Sequence, residues 1–276
     1  MAIYDIDGNV LDSCYDIDGN DLPLAYDIDG EVIYSQETTL TVMTYNVQWF
    51  TGINSQQQMQ QSIINTYAPD LIGLQELSQN GTVPTIGQNV LSGYTLRLSN
   101  HKNYIAFASK FPLSNVVVQD FQSQDPYDMS TWGETRAYML ADLTVGGKTI
   151  KWLNTHLCVH NLEYKSAQFA EIFNLVKDME HVIITGDFNL ITWDEYDDTF
   201  KMFADAGFKL ANTSGVKTYT DSTSATSLAD FKQPTDNIIV SSDIDINSVV
   251  FDTTKLSNLN GNAIDHVPVI ATLTIN

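Results

Sequence analysis

Residues 181–189 read HVIITGDFN. Val182 to Thr185 are all β-branched and the run is short, which predicts a buried strand. It stops abruptly at Gly186-Asp187-Phe188-Asn189, where glycine and aspartate suit a turn. Taken alone, the stretch needs no other explanation. A functional reading needs partners, because one carboxylate cannot both hold a divalent cation and orient a nucleophile. Those partners must come from the rest of the chain.

Upstream, Phe169, Ile172, Phe173, Val176 and Met179 mark one face of an amphipathic helix leading into that strand. Before it, AYMLADL (137–143) and TIKWLNTH (149–156) read as strands joined by a Gly146-Gly147 hairpin turn. Further strands are expected at TLTVMTYN (39–46), DLIGLQE (70–76), YTLRLS (94–99), NYIAFAS (103–109) and NVVVQDF (115–121). The last third adds TDNIIVS (235–241), INSVVFD (246–252) and VPVIATLTI (267–275). Met59, Ile63 and Tyr67 at helical spacing, capped by Asn54-Ser55 and stopped by Pro69, predict a helix, and a short acidic one is expected in WDEYDDTFKMFADAG (193–207). Many strands with few helices predict an α/β fold, two sheets face to face with helices outside.

The amino terminus reads differently. YDIDGN begins at Tyr4 and Tyr15 and YDIDGE at Tyr26, a period of 11 residues. Asp-Gly between alternating apolar residues signals a tight hairpin, so residues 1–37 are expected to form a β-hairpin repeat arm before a catalytic domain at 38–276. Calcium on the paired aspartates is the alternative, but an EF-hand loop needs glycine at its sixth position and glutamate at its twelfth, and here glycine directly follows the second aspartate. Attachment or oligomerisation is the expected use of the arm.

The formal charge is -21, from 34 Asp and Glu against 13 Lys and Arg. Residues 1–37 hold ten of the acids and no base, leaving 24 acids and 13 bases, or -11, beyond them. Such a balance repels polyanions at long range and argues against a simple electrostatic nucleic-acid binder. Cys14 and Cys158 are too few for a disulfide framework and fix no redox compartment. MAIYDIDG has neither a basic start nor an apolar signal core, and no apolar run reaches spanning length, so a soluble chain without a transmembrane segment is expected, secreted or cytoplasmic.

Polar residues recur at one kind of place, the ends of the expected strands: Asn46, Glu76, His156, Asp187, Asn189, Asp236, Asp265 and His266. Each has a bland reading as a turn former, a solvated end or a satisfied core histidine. Together they are the donor set of a hard-cation site, carboxylates and an amide, with histidines that handle protons near neutral pH.

TYNVQWF, DLIGLQE, NTHL, GDFN, TDNIIV and DHVPV, in that order, resemble the endonuclease/exonuclease/phosphatase superfamily over about residues 39–276. The resemblance implies a four-layer α/β sandwich, two packed mixed sheets flanked by helices, and metal-dependent attack of water on a phosphoester. It implies Glu76 as the main magnesium ligand with Asn46 and Asp265 completing or supporting the shell, manganese being an alternative ion and calcium a further one. By the same resemblance Asp187 orients and deprotonates water, Asn189 holds a phosphate oxygen, and His156 contacts the phosphate. His266, set by Asp236, stabilises charge or acts as the base, and the residues alone do not separate it from Asp187 in that role. Arg136 in GETRAYML resembles an arginine that deoxyribonucleases carry near the scissile phosphate, and Tyr104 in NYIAFAS a tyrosine used similarly in apurinic endonucleases.

For substrate, the expectation is a nonspecific endonuclease, a metal-dependent phosphoric ester hydrolase with nucleic acid, DNA first, as partner. The alternatives are a phosphatase or a sphingomyelinase-like lipid phosphodiesterase, and a non-catalytic binding module presented by the arm. The basic residues form no cluster, and neither an apolar membrane hairpin nor a lysine-rich pocket is visible. Trp132 is a candidate stacking residue, an ordinary partly buried tryptophan being the alternative.

Overall fold

A computed structural model gives the fold. It describes residues 38–47, 54–77, 91–99, 104–131, 133–191, 193–220, 227–253 and 265–276, and short strands between 3 and 35. The Asp-Gly turns of the repeat and Trp132 lie outside the described residues. The amino-terminal strands form three antiparallel pairs, Ile3–Tyr4 (β1) with Val10–Leu11 (β2), Cys14–Tyr15 (β3) with Asp21–Leu22 (β4), and Leu24–Tyr26 (β5) with Val32–Ser35 (β6). Tyr4, Tyr15 and Tyr26 face Val10, Asp21 and Val32, so the pairing repeats with the sequence period.

Two six-stranded mixed sheets follow. Sheet I runs in spatial order Ile244–Phe251 (β17), Val269–Ile275 (β18), Thr38–Asn46 (β7), Leu71–Gln75 (β8), Ala106–Ser109 (β10) and Thr95–Leu98 (β9). Sheet II runs Ser114–Asp120 (β11), Ala137–Val145 (β12), Lys148–His156 (β13), Val182–Asp187 (β14), Asp236–Val240 (β16) and Lys209–Leu210 (β15). The expected hairpin turn joins β12 to β13, with Val145 facing Lys148 and both Gly146 and Gly147 at positive φ, 57° and 77°.

The inner faces pack on each other through Leu40, Val42, Leu71 and Phe107 of sheet I and Met139, Trp152, Ile183 and Ile238 of sheet II. Helix α1 (Asn54–Tyr67) covers sheet I, placing Ile63 and Ile64 against Met43, Tyr45, Ile72 and Leu74. Helices α3 (Leu162–Val176) and α4 (Trp193–Asp205) cover sheet II, where Phe169 meets Phe188, Phe200 and Phe203 at ring-centroid distances of 5.2, 5.2 and 5.1 Å. This is the expected four-layer α/β sandwich. Helix α3 stops one turn short of Met179, and a short helix α2 (Pro126–Thr131) and the edge strand β15 have no periodic signature in the sequence.

Each sheet holds one parallel pair at its centre, β7 with β8 and β13 with β14. Residues at the carboxyl ends of parallel strands point into an open crevice. Asn46 is level with Gln75 there, and His156 with Asp187. Strand β16 is antiparallel to β14 and β18 to β7, so Asp236 at the start of one and His266 just before the other reach the same end of the molecule.

Candidate active site

Side chains alternate along a strand, so residues two apart share a face. Asn46, His156, Asp187 and Asp236 all fall on the faces turned toward the opposite sheet, in line with Val42, Trp152, Ile183 and Ile238 of the core. Glu76 does not follow from alternation. It comes one residue after Gln75, which faces inward, and would turn toward α1 were the strand to continue. Its φ of 56° breaks the strand and redirects the side chain, so that Asn46 Nδ2 donates to Glu76 Oε1 at 3.1 Å. A non-glycine residue in this region costs backbone energy, which functional sites commonly bear.

Asp187 is the hub. One oxygen, Oδ2, accepts from Asn46 Nδ2 at 2.9 Å and lies 3.5 Å from His156 Nε2 and 3.6 Å from His266 Nε2. The other accepts from the backbone N–H of Asn189 at 2.9 Å. Burial, with Asp236 nearby, pushes the Asp187 carboxyl up to about 7, against the pull of His266, Asn46 and the Asn189 amide. Asn46 thus ties Glu76 of sheet I to Asp187 of sheet II.

His266 is fixed from behind. Its Nδ1 lies 2.9 Å from Asp236 Oδ2, and that same oxygen accepts from Thr218 Oγ1 at 2.7 Å and Thr235 Oγ1 at 2.8 Å. The Tyr219 ring leans on the imidazole with centroids 4.9 Å apart. Burial alone would lower the His266 pKa, but Asp236, then Asp187 and Asp265, outweigh it and hold the imidazolium well above its ordinary range. His156 moves the opposite way: burial, then the charges of Arg136 and His266, hold it well below. One histidine is therefore charged near neutral pH and the other is not.

The ligand atoms of Asp187, Asp236 and His266 lie within 4.8 Å of one another, the one such group of three His, Cys, Asp or Glu side chains among the described residues. Asp265 stands beside them, its carboxyl raised to about 6 by burial and further by Glu76 and Asp236. Its Oδ1 is buried without a hydrogen-bond partner among the described residues. Asp265, with one oxygen unpartnered among the described residues and with Glu76 and Asp236 near enough to raise its carboxyl, belongs to a cluster of oxygen donors that fits a hard divalent cation.

The remaining expected residues lie close by in different states. The side-chain amide of Asn189 donates to the Leu157 carbonyl at 2.9 Å, and its φ of 52° makes it the turning residue of GDFN. Gly186 does not free the turn, contrary to expectation. It lies inside β14, and glycine is required because a Cβ would come within 2.9 Å of the Thr155 methyl and 3.1 Å of the Phe188 ring. Phe188 is fully buried, as expected. Arg136 is buried between Asp128 at 2.8 Å and Glu134 at 3.3 Å, with Nη1 unpartnered among the described residues. Tyr104 sits at φ 50° and its carbonyl accepts from Leu77 N at 2.8 Å, beside Glu76. Thr218, Thr235, Tyr219 and Glu134 were not among the residues expected at the site; Glu134 is raised to about 7 by burial and further by Glu76 and Asp128.

Two packed mixed sheets with acids, an amide and histidines at one rim define the class of protein: an α/β sandwich with a polar rim. The model of the Endonuclease/Exonuclease/phosphatase family matches residues 43–257, and the chain belongs to that family, whose members are metal-dependent phosphoric ester hydrolases. No curated protein matches it by sequence. Among solved structures it is similar to D. rerio TDP2 complexed with a single-strand DNA product (18% identity, TM-score 0.68, 85% of this chain and 98% of that one). It is also similar to truncated Caenorhabditis elegans TDP2 (20%, 0.64, 86% and 98%). A third is the endonuclease/exonuclease/phosphatase from Bacteroides vulgatus (17%, 0.68, 87% and 100%). No helix among the described residues is long and apolar enough to cross a membrane.

Proposed function

We propose that the protein is a magnesium-dependent phosphodiesterase acting as a nonspecific endonuclease, with DNA as first substrate. One observation carries the reading: a single buried carboxylate, Asp187, is held by Asn46 on one side and faced by two histidines on the other. Glu76, Asn46 and Asp265 would hold the divalent cation, with manganese able to substitute. When bound, the cation supplies positive charge to a phosphoryl oxygen and acidifies water.

The chain's own groups do the rest. Asp187, raised to about 7, is a proton acceptor matched to neutral pH and fixed by its two hydrogen bonds, so it orients and deprotonates water. His266, charged through Asp236, donates to a phosphate oxygen as negative charge develops there. A charged His266 cannot accept a proton, which supports Asp187 as the base. Neutral His156 and the Asn189 amide contact the other phosphate oxygens, while Arg136 and Tyr104 flank the site.

The preference for DNA rests on the fold shared with D. rerio TDP2, solved with a single-strand DNA product. One observation favours a smaller phosphodiester or phosphomonoester instead: Lys110, Lys151, Lys177, Lys201 and Lys209 are each paired with an aspartate, which dulls their pull on a polyanion. Supercoiled plasmid and sphingomyelin vesicles, each with magnesium and with chelator, separate the readings. Magnesium-dependent nicking of plasmid is expected. Cleavage of sphingomyelin alone transfers the assignment to a lipid phosphodiesterase, and cleavage of neither leaves a binding module.

A further inference from the structure

Directly beneath the site lies a second tier of side chains. Thr44, Asn154 and Thr185 each precede a site residue by two positions, Asn46, His156 and Asp187 respectively, and so share its face. All three are fully buried, as is Gln75. Below them the interface between the sheets is apolar, with Phe107 and Trp152 stacked at 4.1 Å.

This tier is polar and fully bonded. Asn154 of sheet II donates its two amide hydrogens to the carbonyls of Leu74 at 2.9 Å and Ala106 at 3.0 Å, both in sheet I. Its Oδ1 accepts from Gln75 Nε2 of sheet I at 2.7 Å and from Thr185 Oγ1 at 3.1 Å. Thr185 Oγ1 in turn accepts from Trp152 Nε1 at 3.1 Å. Gln75 Nε2 also reaches Thr44 Oγ1 at 3.2 Å. The sheets approach closely at Gly73, where an added Cβ would lie 2.1 Å from Thr185 Oγ1 and 2.6 Å from Asn154 Oδ1.

The site above is split between the same two sheets. Glu76 and Asn46 stand on sheet I, whereas His156, Asp187 and Asp236 stand on sheet II. Apolar contacts between the sheets are non-directional, but three directed bonds from the Asn154 amide to sheet I, at Leu74, Ala106 and Gln75, fix both separation and register. We propose that Asn154 and Thr185 are positioning residues: Asn154 bonds across to sheet I, the Thr185 hydroxyl holds the Asn154 amide from within sheet II, and together they set the distance from Glu76 to Asp187 and His156. This rests on the phosphodiesterase reading for its kinetic readout, but not for its structural one.

Two substitutions at Thr185 divide bonding from packing. Thr185→Val keeps the shape and removes the hydroxyl, while Thr185→Ser keeps the hydroxyl and removes a methyl. Hydrolysis of bis(4-nitrophenyl) phosphate with magnesium gives kcat and KM, electron paramagnetic resonance gives manganese affinity, thermal melting gives stability, and NMR gives the His156 and His266 ring signals. Because misplacement by about 1 Å can cost about 10²-fold, Thr185→Val should lower kcat by about 10- to 100-fold per folded molecule. Its KM and manganese affinity should stay close to wild type, and Thr185→Ser should keep most of the rate. Asn154→Leu, if it folds, should match or exceed the loss in Thr185→Val. A Thr185→Val protein with the wild-type rate per folded molecule, or a Thr185→Ser protein as impaired as Thr185→Val, overturns the proposal. If the wild type hydrolyses neither this ester nor DNA, the phosphodiesterase reading fails on its own. The tier is then judged by the histidine rings: displacement of both in Thr185→Val but not in Thr185→Ser upholds it, and no displacement overturns it.

Discussion

His266 bridges two carboxylates, with Nδ1 2.9 Å from Asp236 and Nε2 3.6 Å from Asp187. Of the two, Asp236 is the larger cause of the raised imidazolium pKa, followed by Asp187. Asp236→Asn keeps an oxygen able to accept from Thr218 and Thr235 but removes the largest cause of the raised His266 pKa. Because positioned acid-base groups contribute roughly 10²–10⁴-fold, kcat should fall by about 10²-fold or more. A required imidazolium is lost as pH rises through its pKa, so the alkaline limb of the rate profile should shift to lower pH. A pH–rate profile of the variant checks both.

Glu76→Gln replaces a hard anionic ligand by a neutral amide, and hard cations prefer the carboxylate. The magnesium concentration for half-maximal activity should rise by about tenfold or more, the equivalent of about 1.4 kcal/mol, with much of the loss recovered at saturating metal. Melting of the metal-free protein should change little, since the side chain is only half buried. A magnesium titration of the rate tests this, and an unchanged midpoint excludes Glu76 as a ligand.

Proton binding should compete with metal. Asp187, Asp265 and Glu134 have folded values of about 7, 6 and 7, above the ordinary 3.8 of aspartate and 4.5 of glutamate. A raised carboxyl stabilises the fold below its unfolded pKa, and that contribution disappears as pH rises through the folded value. His266, also raised, acts in the same direction from about 6.5 upward, whereas the lowered His156 favours the fold above about 6.5. Without metal, the carboxyl contribution should therefore fade between about pH 4 and 7. Magnesium should raise the melting temperature more at pH 8 than at pH 5.5. Asp187→Asn, neutral throughout, should lose stability less steeply over that window and lose activity by about 10²-fold or more. Melting curves of both proteins across pH provide the check.

Every site residue named above follows Thr38, the first residue of β7. A chain beginning at Gln36 should fold and keep its turnover per molecule to within about twofold, the scatter expected for changes that touch no special feature. Rate and melting temperature of the shortened protein decide it. A folded but inactive product would mean that the amino-terminal strands complete the site.

Most strands were legible because they are β-branched or alternating runs ended by a polar residue, and the residues proposed for the site were picked out because they are those ends. What alternation cannot show is where it breaks. Glutamate gives no hint of positive φ, so the turn that brings Glu76 beside Asn46 could not be read locally. Gly186 misled for a related reason: the need for glycine comes from Thr155, on a strand 31 residues earlier, and not from a bend in its own segment. Thr218 and Tyr219 belong to a stretch without periodicity, and Thr235, the first residue of TDNIIV, looks there like an ordinary strand opener. Their part in holding Asp236 and His266 exists only after β16 and β18 are brought together.

The position of β18 within sheet I bears on when the protein can act. Residues 269–275 pair with β17 on one side and β7 on the other, so a strand made late lies between one made first and another made shortly before it. His266 immediately precedes it. A chain emerging from the ribosome can complete sheet II while sheet I still lacks this inner strand. The residues at the rim therefore come together only after β18 has joined β7 and β17, whatever the order in which the two sheets form.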